Sequence, residues 1–597
     1  MEEELMKLKG DHHIPTKTLV KRLAKYVSKY WARFLLAFIL ICINVSLDII
    51  TPLFVRAITD YLSTAETNVN ATVMYIISFA SGYFILCLGN QAFLYLEAML
   101  LQRTGQRIVY ELRMEVFSHI ENMSQNQFND MPVGSLVTRV ASYTTNMSDL
   151  FTTTLVSMLR NIFTIVGVYI IMITLSPMLS LVLFGFVIVV FIISFVFRNI
   201  ISKRFRIERG CLSDLNTFLN ENLGGMKIIQ IFNQEERKVD EFDVKNTAHY
   251  KARIKVMRAF AIYRPAISFL YFAAIAVTFI VGIQPWIGLS AGGVVAFYLY
   301  LSRFFNPVQN LADQLNNLQR ARTASERLFN LLEVEPEVLD APDAIDIDHF
   351  EGKIEFRDVW FAYKKDEWIL KGINFVIEPK QSIAFIGATG SGKTTILSLI
   401  VRNYEIAKGQ ILIDDIDIKK IKINSLRRAI GQMLQDVFLF SGSIKTNITL
   451  HDESFTQEQV EEACVYVNAD RFINKLPNKL EEEVIERGEN FSQGERQLLS
   501  FARTVLHQPQ ILILDEATAN IDTETEVLIQ ESLEKMKSIG TMLIVAHRLS
   551  TIQKCDQIFV LKDGQLLERG NHQSLLAQKG EYYKLYQLQF DEDLQNS

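Results

Sequence analysis

The stretch from Met178 to Phe197 contains no charged side chain. A helix needs ~20 predominantly apolar residues to cross the hydrocarbon core of a bilayer. Inside that core each backbone N–H and C=O must find its partner within the helix, so such a run has few other ways to fold. Comparable runs recur along the first half of the chain. The candidates lie near 34–56, 73–100, 150–175, 178–198, 260–283 and 292–318. The first two carry internal polar residues. An all-α membrane domain of six spanning helices is expected.

Lysine and arginine orient such spans, because they are retained on the cytoplasmic side. None stands between Arg56 and Arg103, between Arg160 and Arg198, or between Arg264 and Arg303. Those intervals hold the loops after the first, third and fifth helices. Basic residues from Lys7 to Arg33 precede the first span, and segments 103–149 and 199–258 carry more of them. Both termini and both long segments are expected to face the cytoplasm, in a multi-pass protein of the cell membrane. Neither long segment holds enough apolar residues for a core of its own. Each is expected to prolong spanning helices as amphipathic helix. Segment 17–29, KTLVKRLAKYVSK, sets Leu19, Leu23 and Val27 among basic neighbours and fits an interfacial helix on the inner leaflet.

The 597 residues exceed what one hydrophobic core organises, so at least two domains are expected. Apolar residues make up 49% and charged ones 21%, which excludes a disordered chain and argues against an ordinary soluble enzyme. Residues 1–325 hold 31 Lys and Arg against 22 Asp and Glu, whereas the remainder holds 30 against 45. A basic, apolar half joined to an acidic, polar half reads as a membrane domain fused to a cytosolic one. The five cysteines form no CxxC pair, which argues against a disulfide framework or a zinc site. No signal peptide is expected, since the Lys-rich start lacks a short apolar stretch with a cleavage site.

From about Glu351 the pattern changes. Short β-rich runs (KIEF, SIAFIG, ILIDD, ILILDE, TMLIVAH) alternate with polar helical stretches, the pattern of a mainly parallel α/β sheet. The acidic, proline-bearing segment before it reads as a linker. The expected domains are therefore 1–325 in the membrane, 326–350 as linker, and 351–597 as an α/β P-loop domain. Within the last, Gly387-Ala388-Thr389-Gly390-Ser391-Gly392-Lys393-Thr394-Thr395 follows the strand SIAFI and precedes the helix ILSLIV. Glycines there let backbone N–H groups wrap phosphate oxygens, and the helix N-terminus adds a favourable dipole. Lys393 is expected to neutralise the β- and γ-phosphates of ATP, and Thr394 to ligate Mg²⁺. The strand Ile511–Leu514 ends in Asp515 and Glu516. Asp515 is expected to hold Mg²⁺ and Glu516 to orient the attacking water.

With these motifs in place the whole chain resembles an ATP-binding cassette (ABC) exporter half-transporter: six helices, then one nucleotide-binding domain. The resemblance implies an ATP hydrolase coupled to transport by alternating access. It also implies further roles. Tyr363 in VWFAY falls where such proteins stack an aromatic on adenine. Gln435 in MLQDVFLF matches the glutamine that touches Mg²⁺. His547 in IVAHR matches the switch histidine at the γ-phosphate. Asp522 in ANID matches the loop that signals to the opposite site. Glu486-Arg487-Gly488 resembles the segment that contacts the coupling helices. Those helices are expected near 125–131 and 222–228.

One motif departs from the family. The signature LSGGQ is here Phe491-Ser492-Gln493-Gly494-Glu495. Ser492 and Gly494 remain as expected nucleotide contacts. Gln493 adds bulk where glycine allows close approach to a phosphate, and Glu495 adds negative charge beside a polyphosphate. The combination resembles the subunit of bacterial heterodimeric exporters that keeps the catalytic glutamate. A heterodimer with one consensus and one degenerate ATP site is expected, with a homodimer as the alternative. Export of lipophilic or amphipathic compounds of multidrug type is the first functional reading. A lipid or lipid-linked flippase is the second, and an ATP-gated channel or regulator the third. The third is disfavoured by the complete hydrolytic set. A nucleic-acid partner is disfavoured by the spans, and a peptide exporter with an N-terminal protease domain by the short segment before the first helix.

Polar groups inside spans are costly and mark pathways. Candidates for contact with cargo are Asn44, Asp48, Asn90, Gln91, Glu97, Arg160 and Arg264, with Phe297, Tyr298, Phe304, Phe305 and a bend at Pro307. Asp48 and Glu97 suggest a preference for cationic compounds.

Overall fold

The computed structural model describes residues 13–64, 69–364, 366–434, 436–515, 523–545 and 549–596. Two compact units divide the chain: residues 1–119 with 132–334, and residues 120–131 with 335–597.

The first unit is helical. Helix α1 is Thr16–Lys29, α2 Trp31–Thr64 and α3 Val69–Glu121. The short α4, Gln125–Asn129, belongs to the second unit. Helix α5 spans Val133–Leu175, with two π-helical turns at Arg139–Tyr143 and Leu150–Thr154. Helix α6 is Pro177–Gly224, α7 Met226–Ile231, α8 Glu235–Gly282 and α9 Ala291–Leu332. Among the described residues, five helical stretches are long and apolar enough to cross a membrane; they lie in α2, α3, α5, α6 and α8. Helix α9 forms at the sixth expected position but is more polar and is not among them. The prolongation into long helices occurs as the sequence suggested, to Glu121 in α3 and Gly224 in α6. Because α6 continues to Gly224, the second short helix begins at Met226 rather than at 222. Its neighbourhood leaves Leu223, Ile228, Ile231 and Phe232 exposed on the single chain. Residues 326–332, read from the sequence as linker, are the last turns of α9.

Large apolar side chains such as Phe184, Phe191 and Phe195 on α6 point outward, as a lipid-facing surface requires. The core forms around α9 instead. Its Phe297, Tyr300, Leu301, Phe304 and Phe305 are buried against α2, α5 and α8. The Tyr300 hydroxyl donates to the Ile49 carbonyl at 2.7 Å, which satisfies the polar tip inside the bundle. Asp60 anchors the start of α9 by accepting from Ser290 Oγ at 2.9 Å and Gly292 N at 2.8 Å. An anion suits a helix N-terminus, where N–H groups lack partners.

The second unit contains β1 Ile354–Ala362, β2 Trp368–Ile377, β3 Ser382–Ile386, β4 Lys408–Ile413, β5 Ile416–Asp417 and β6 Ile430–Met433. It continues with β7 Gly442–Ser443, β8 Glu483–Val484, β9 Ile511–Asp515, β10 Thr541–Val545, β11 Gln557–Lys562 and β12 Gln565–Gly570. One sheet has the order β12-β11-β3-β10-β9-β6, parallel except for the β11–β12 hairpin. An antiparallel sheet, β2-β1-β4-β5, faces it across a core that holds Phe356, Phe375, Phe385 and Phe559. Strands β3 and β10 are buried along their whole length, as central strands covered on both faces must be.

Candidate nucleotide-binding site

In parallel sheets, ligands sit at the carboxyl ends of the strands. Val545 of β10 lies opposite both Phe385 of β3 and Asp515 of β9, so these three strands end together. Beyond β3 the loop 387–392 opens into helix α10, Lys393–Ile400, with Gly392 as its N-cap.

The glycines are required by geometry at two points. Gly387 has φ +151°, and a Cβ there would collide with the Leu561 carbonyl oxygen. Gly392 has φ +101°, and its Cβ would press on the Leu370 side chain. The Lys393 side chain is buried, and its ammonium donates to the carbonyls of Gly387 at 2.8 Å and Ala388 at 3.1 Å. Its charge is thus aimed across the mouth of the loop. Ser391 is buried with a hydroxyl that meets no partner among the described residues, an arrangement that costs free energy unless an acceptor or donor is supplied. A side-chain-free cradle, an inward ammonium and a spare hydroxyl fit a polyphosphate. Thr394, on the first turn of α10, is exposed, and Asp515 is half-buried at the end of β9. These are the described oxygen donors suited to magnesium at this strand edge.

Tyr363, 41% exposed, carries its hydroxyl 3.1 Å from Thr395 Oγ1 and stands edge-on to Phe361 and Tyr404. Burial and the neighbouring Tyr363 raise the Tyr404 phenol above its ordinary range. Asn129 of α4 donates to the Tyr404 hydroxyl at 3.5 Å. In the same short helix, Gln127 donates to the Glu335 carbonyl at 2.8 Å, and Ser124 Oγ to Glu337 at 3.0 Å. Tyr404 is a neighbour of Tyr363 that no sequence motif marks; only the fold brings the two rings together.

The chain matches the family description of the ABC transporter transmembrane region over residues 34–308 and that of the ABC transporter domain over 370–519. It is 38% identical over 507 residues to a probable multidrug resistance ABC transporter ATP-binding/permease protein of Bacillus subtilis, covering 83% of this chain and 74% of that one. The chain belongs to the ABC exporter half-transporters. An ATP-dependent lipid A-core flippase of Syntrophus aciditrophicus shares 34% identity, covering 84% of this chain and 83% of the relative. A fatty acid ABC transporter ATP-binding/permease protein of Mycobacterium bovis also shares 34%, covering 82% and 78%. A bacterial Atm1-family ABC exporter solved with ATP bound superposes with a TM-score of 0.79 at 25% identity, covering 94% of this chain and 98% of that one.

Within this half-transporter, the signature segment lies at the start of helix Gln493–Leu506. Ser492 is its N-cap, and Gly494 is buried. The turn Glu486–Gly488 precedes it, with Arg487 at φ +60°. Gln435, Glu516, Asp522 and His547 lie outside the described residues.

In the membrane unit, the expected cargo contacts sort differently. Phe297, Phe304 and Phe305 are core residues of the single chain, not cavity lining; only Tyr298 of that group is exposed. Asp48 pairs with Arg303 at 3.4 Å, and Glu97, 1% exposed, pairs with Arg160. Neither carboxylate therefore presents a free negative charge, and the basis for a cation preference falls away. Asn44 Nδ2 donates to Asn90 Oδ1 at 2.8 Å.

Proposed function

We propose that this half-transporter exports lipophilic or amphipathic compounds by alternating access, as one subunit of a heterodimer with one consensus and one degenerate ATP site. ABC exporters work as dimers and couple ATP hydrolysis to transport. The observation that carries the reading is the pairing, in one chain, of a complete phosphate cradle at Gly387–Lys393 with a signature altered at Gln493 and Glu495. Mg²⁺ would be held by Thr394, Asp515 and Gln435 and would neutralise phosphate charge. Lys393 draws the phosphates into the loop. Glu516 orients the attacking water, and His547 contacts the γ-phosphate. Asp522 relays the state of the opposite site. Ser492 and Gly494 close over the partner's nucleotide. The nucleotide-binding domain takes residues 351–597, both termini face the cytoplasm, and the short helices α4 and α7 carry motion to the membrane unit.

A lipid-like cargo is the second reading. Charge-neutral ion pairs in the spans and relatives named for lipid A-core and fatty acids favour it over cationic drugs. ATPase activity in nanodiscs tests the proposal. The chain alone and the chain co-expressed with a candidate partner are compared, each beside Glu516→Gln. Activity only with the partner, abolished by Glu516→Gln, is expected. Full activity of the chain alone overturns the heterodimer. Stimulation by lipids or by lipophilic drugs separates the two cargo readings.

A further inference from the structure

Helix α1 has two opposed faces. Leu19 and Leu23 are buried, and the adjoining flank is bonded to the bundle. Arg22 pairs with Glu333, the C-cap of α9, and lies over the Phe329 ring of α9 at 5.6 Å. The Tyr26 hydroxyl donates to Glu115 of α3 at 2.8 Å. Lys29 and Tyr30 both donate to Glu111, at 2.8 and 2.7 Å. The opposite face carries Lys17, Lys21 and Lys25, one turn apart. All three are exposed, and among the described residues none meets a carboxylate. Two residues past α1, Trp31 stands 64% exposed at the start of the first span, with Leu35 and Leu36 exposed just beyond it. Exposed tryptophan at the end of an apolar span marks the headgroup level of a bilayer. The lysine row is therefore held beside the headgroups by a helix whose other face is fixed to α3 and α9.

We infer that the Lys17–Lys21–Lys25 face of α1 is a docking surface for anionic lipid headgroups, tying α3 and α9 to the charge of the adjacent leaflet. The inference rests on the membrane reading of the spans. Each lysine near an anionic surface strengthens docking about fivefold, and three together about a hundredfold.

The full-length protein is reconstituted in nanodiscs of phosphatidylcholine alone and of phosphatidylcholine mixed with phosphatidylglycerol. Amide exchange is followed over residues 16–29, with helix α10 as internal reference. Exchange in α1 is expected to slow by about a hundredfold in the anionic discs and to recover at high salt. The triple variant Lys17→Glu, Lys21→Glu, Lys25→Glu is expected to lose that dependence, and the triple arginine variant to keep it. The single Lys21→Gln variant, which perturbs folding less and removes one charge, is expected to lose about fivefold. Equal exchange in both discs, or a lipid dependence retained by the triple glutamate variant, overturns the inference. Nanodiscs expose both leaflets, so neither outcome depends on orientation in the cell, and the transport reading is tested separately by ATPase activity.

Discussion

The Glu495 carboxylate accepts the Ser492 backbone N–H through Oε2 at 2.8 Å, while the Ser492 hydroxyl accepts the Glu495 N–H at 3.3 Å. The two residues form a reciprocal capping box at the start of the signature helix. The residue that departs from the family glutamine is thus held at the helix terminus, where a phosphate of the partner's ATP would otherwise find the dipole free. Glutamine keeps the cap and removes the charge. Glu495→Gln is expected to leave thermal stability nearly unchanged, whereas Glu495→Ala costs about 1 kcal/mol. Under the heterodimer proposed above, the Gln variant is expected to change ATP turnover little, because this signature would close on the degenerate site. A severalfold rise in the chain alone would indicate a working homodimer.

Gly387→Ala places a methyl group against the Leu561 carbonyl, backbone that cannot move aside cheaply. The expected loss is about 1–3 kcal/mol in stability, with weaker ATP binding. Thermal melts with and without nucleotide measure both.

Arg160→Ala would strand the buried Glu97 carboxylate, whose Oε2 already lacks a partner among the described residues. Breaking a buried pair from one side costs about 3–5 kcal/mol. The double variant Glu97→Gln, Arg160→Gln is expected to be milder. Melting midpoints in detergent of Glu97→Gln, of Arg160→Gln and of the double give the coupling directly.

Tyr404 supports Tyr363 edge-on at 5.1 Å between ring centroids. An aromatic pair of this kind contributes about 0.5–1.5 kcal/mol, so Tyr404→Ala is expected to weaken ATP binding severalfold. Tyr404→Phe keeps the ring and is expected to retain affinity. Equilibrium titration with a fluorescent ATP analogue distinguishes them.

Burial lowers the His507 pKa below its ordinary value; its ring packs edge-on against Phe455 at 5.0 Å. The folded protein therefore binds fewer protons than the unfolded chain between the lowered value and about 6.5. Stability from this group is fully present above about 6.5 and is lost as pH falls through the lowered value. The melting midpoint of His507→Asn is expected to fall less steeply on acidification than that of the parent.

Much of this was legible in the residues. Charge-free runs located the spans, because a bilayer leaves few alternatives. The phosphate loop was legible because its glycines answer a local steric demand. Pairing across helices was not: Asp48 and Glu97 read as free carboxylates until Arg303 and Arg160, distant in sequence, were brought beside them. Phe297, Phe304 and Phe305 read as cavity aromatics, since nothing in sequence distinguishes a helix face turned inward. The capping box did leave a signal, Ser-x-x-Glu ahead of an amphipathic run.

The chain passes between its two compact units at 119/120, 131/132 and 334/335, not at a single point. Dissection at residue 335 would therefore divide a body rather than separate two. A fragment starting there would leave the Glu335 carbonyl, the Glu337 carboxylate and the Tyr404 hydroxyl without the donors that Gln127, Ser124 and Asn129 provide. Melting of such a fragment would understate how firmly the nucleotide-binding part is held in the intact polypeptide.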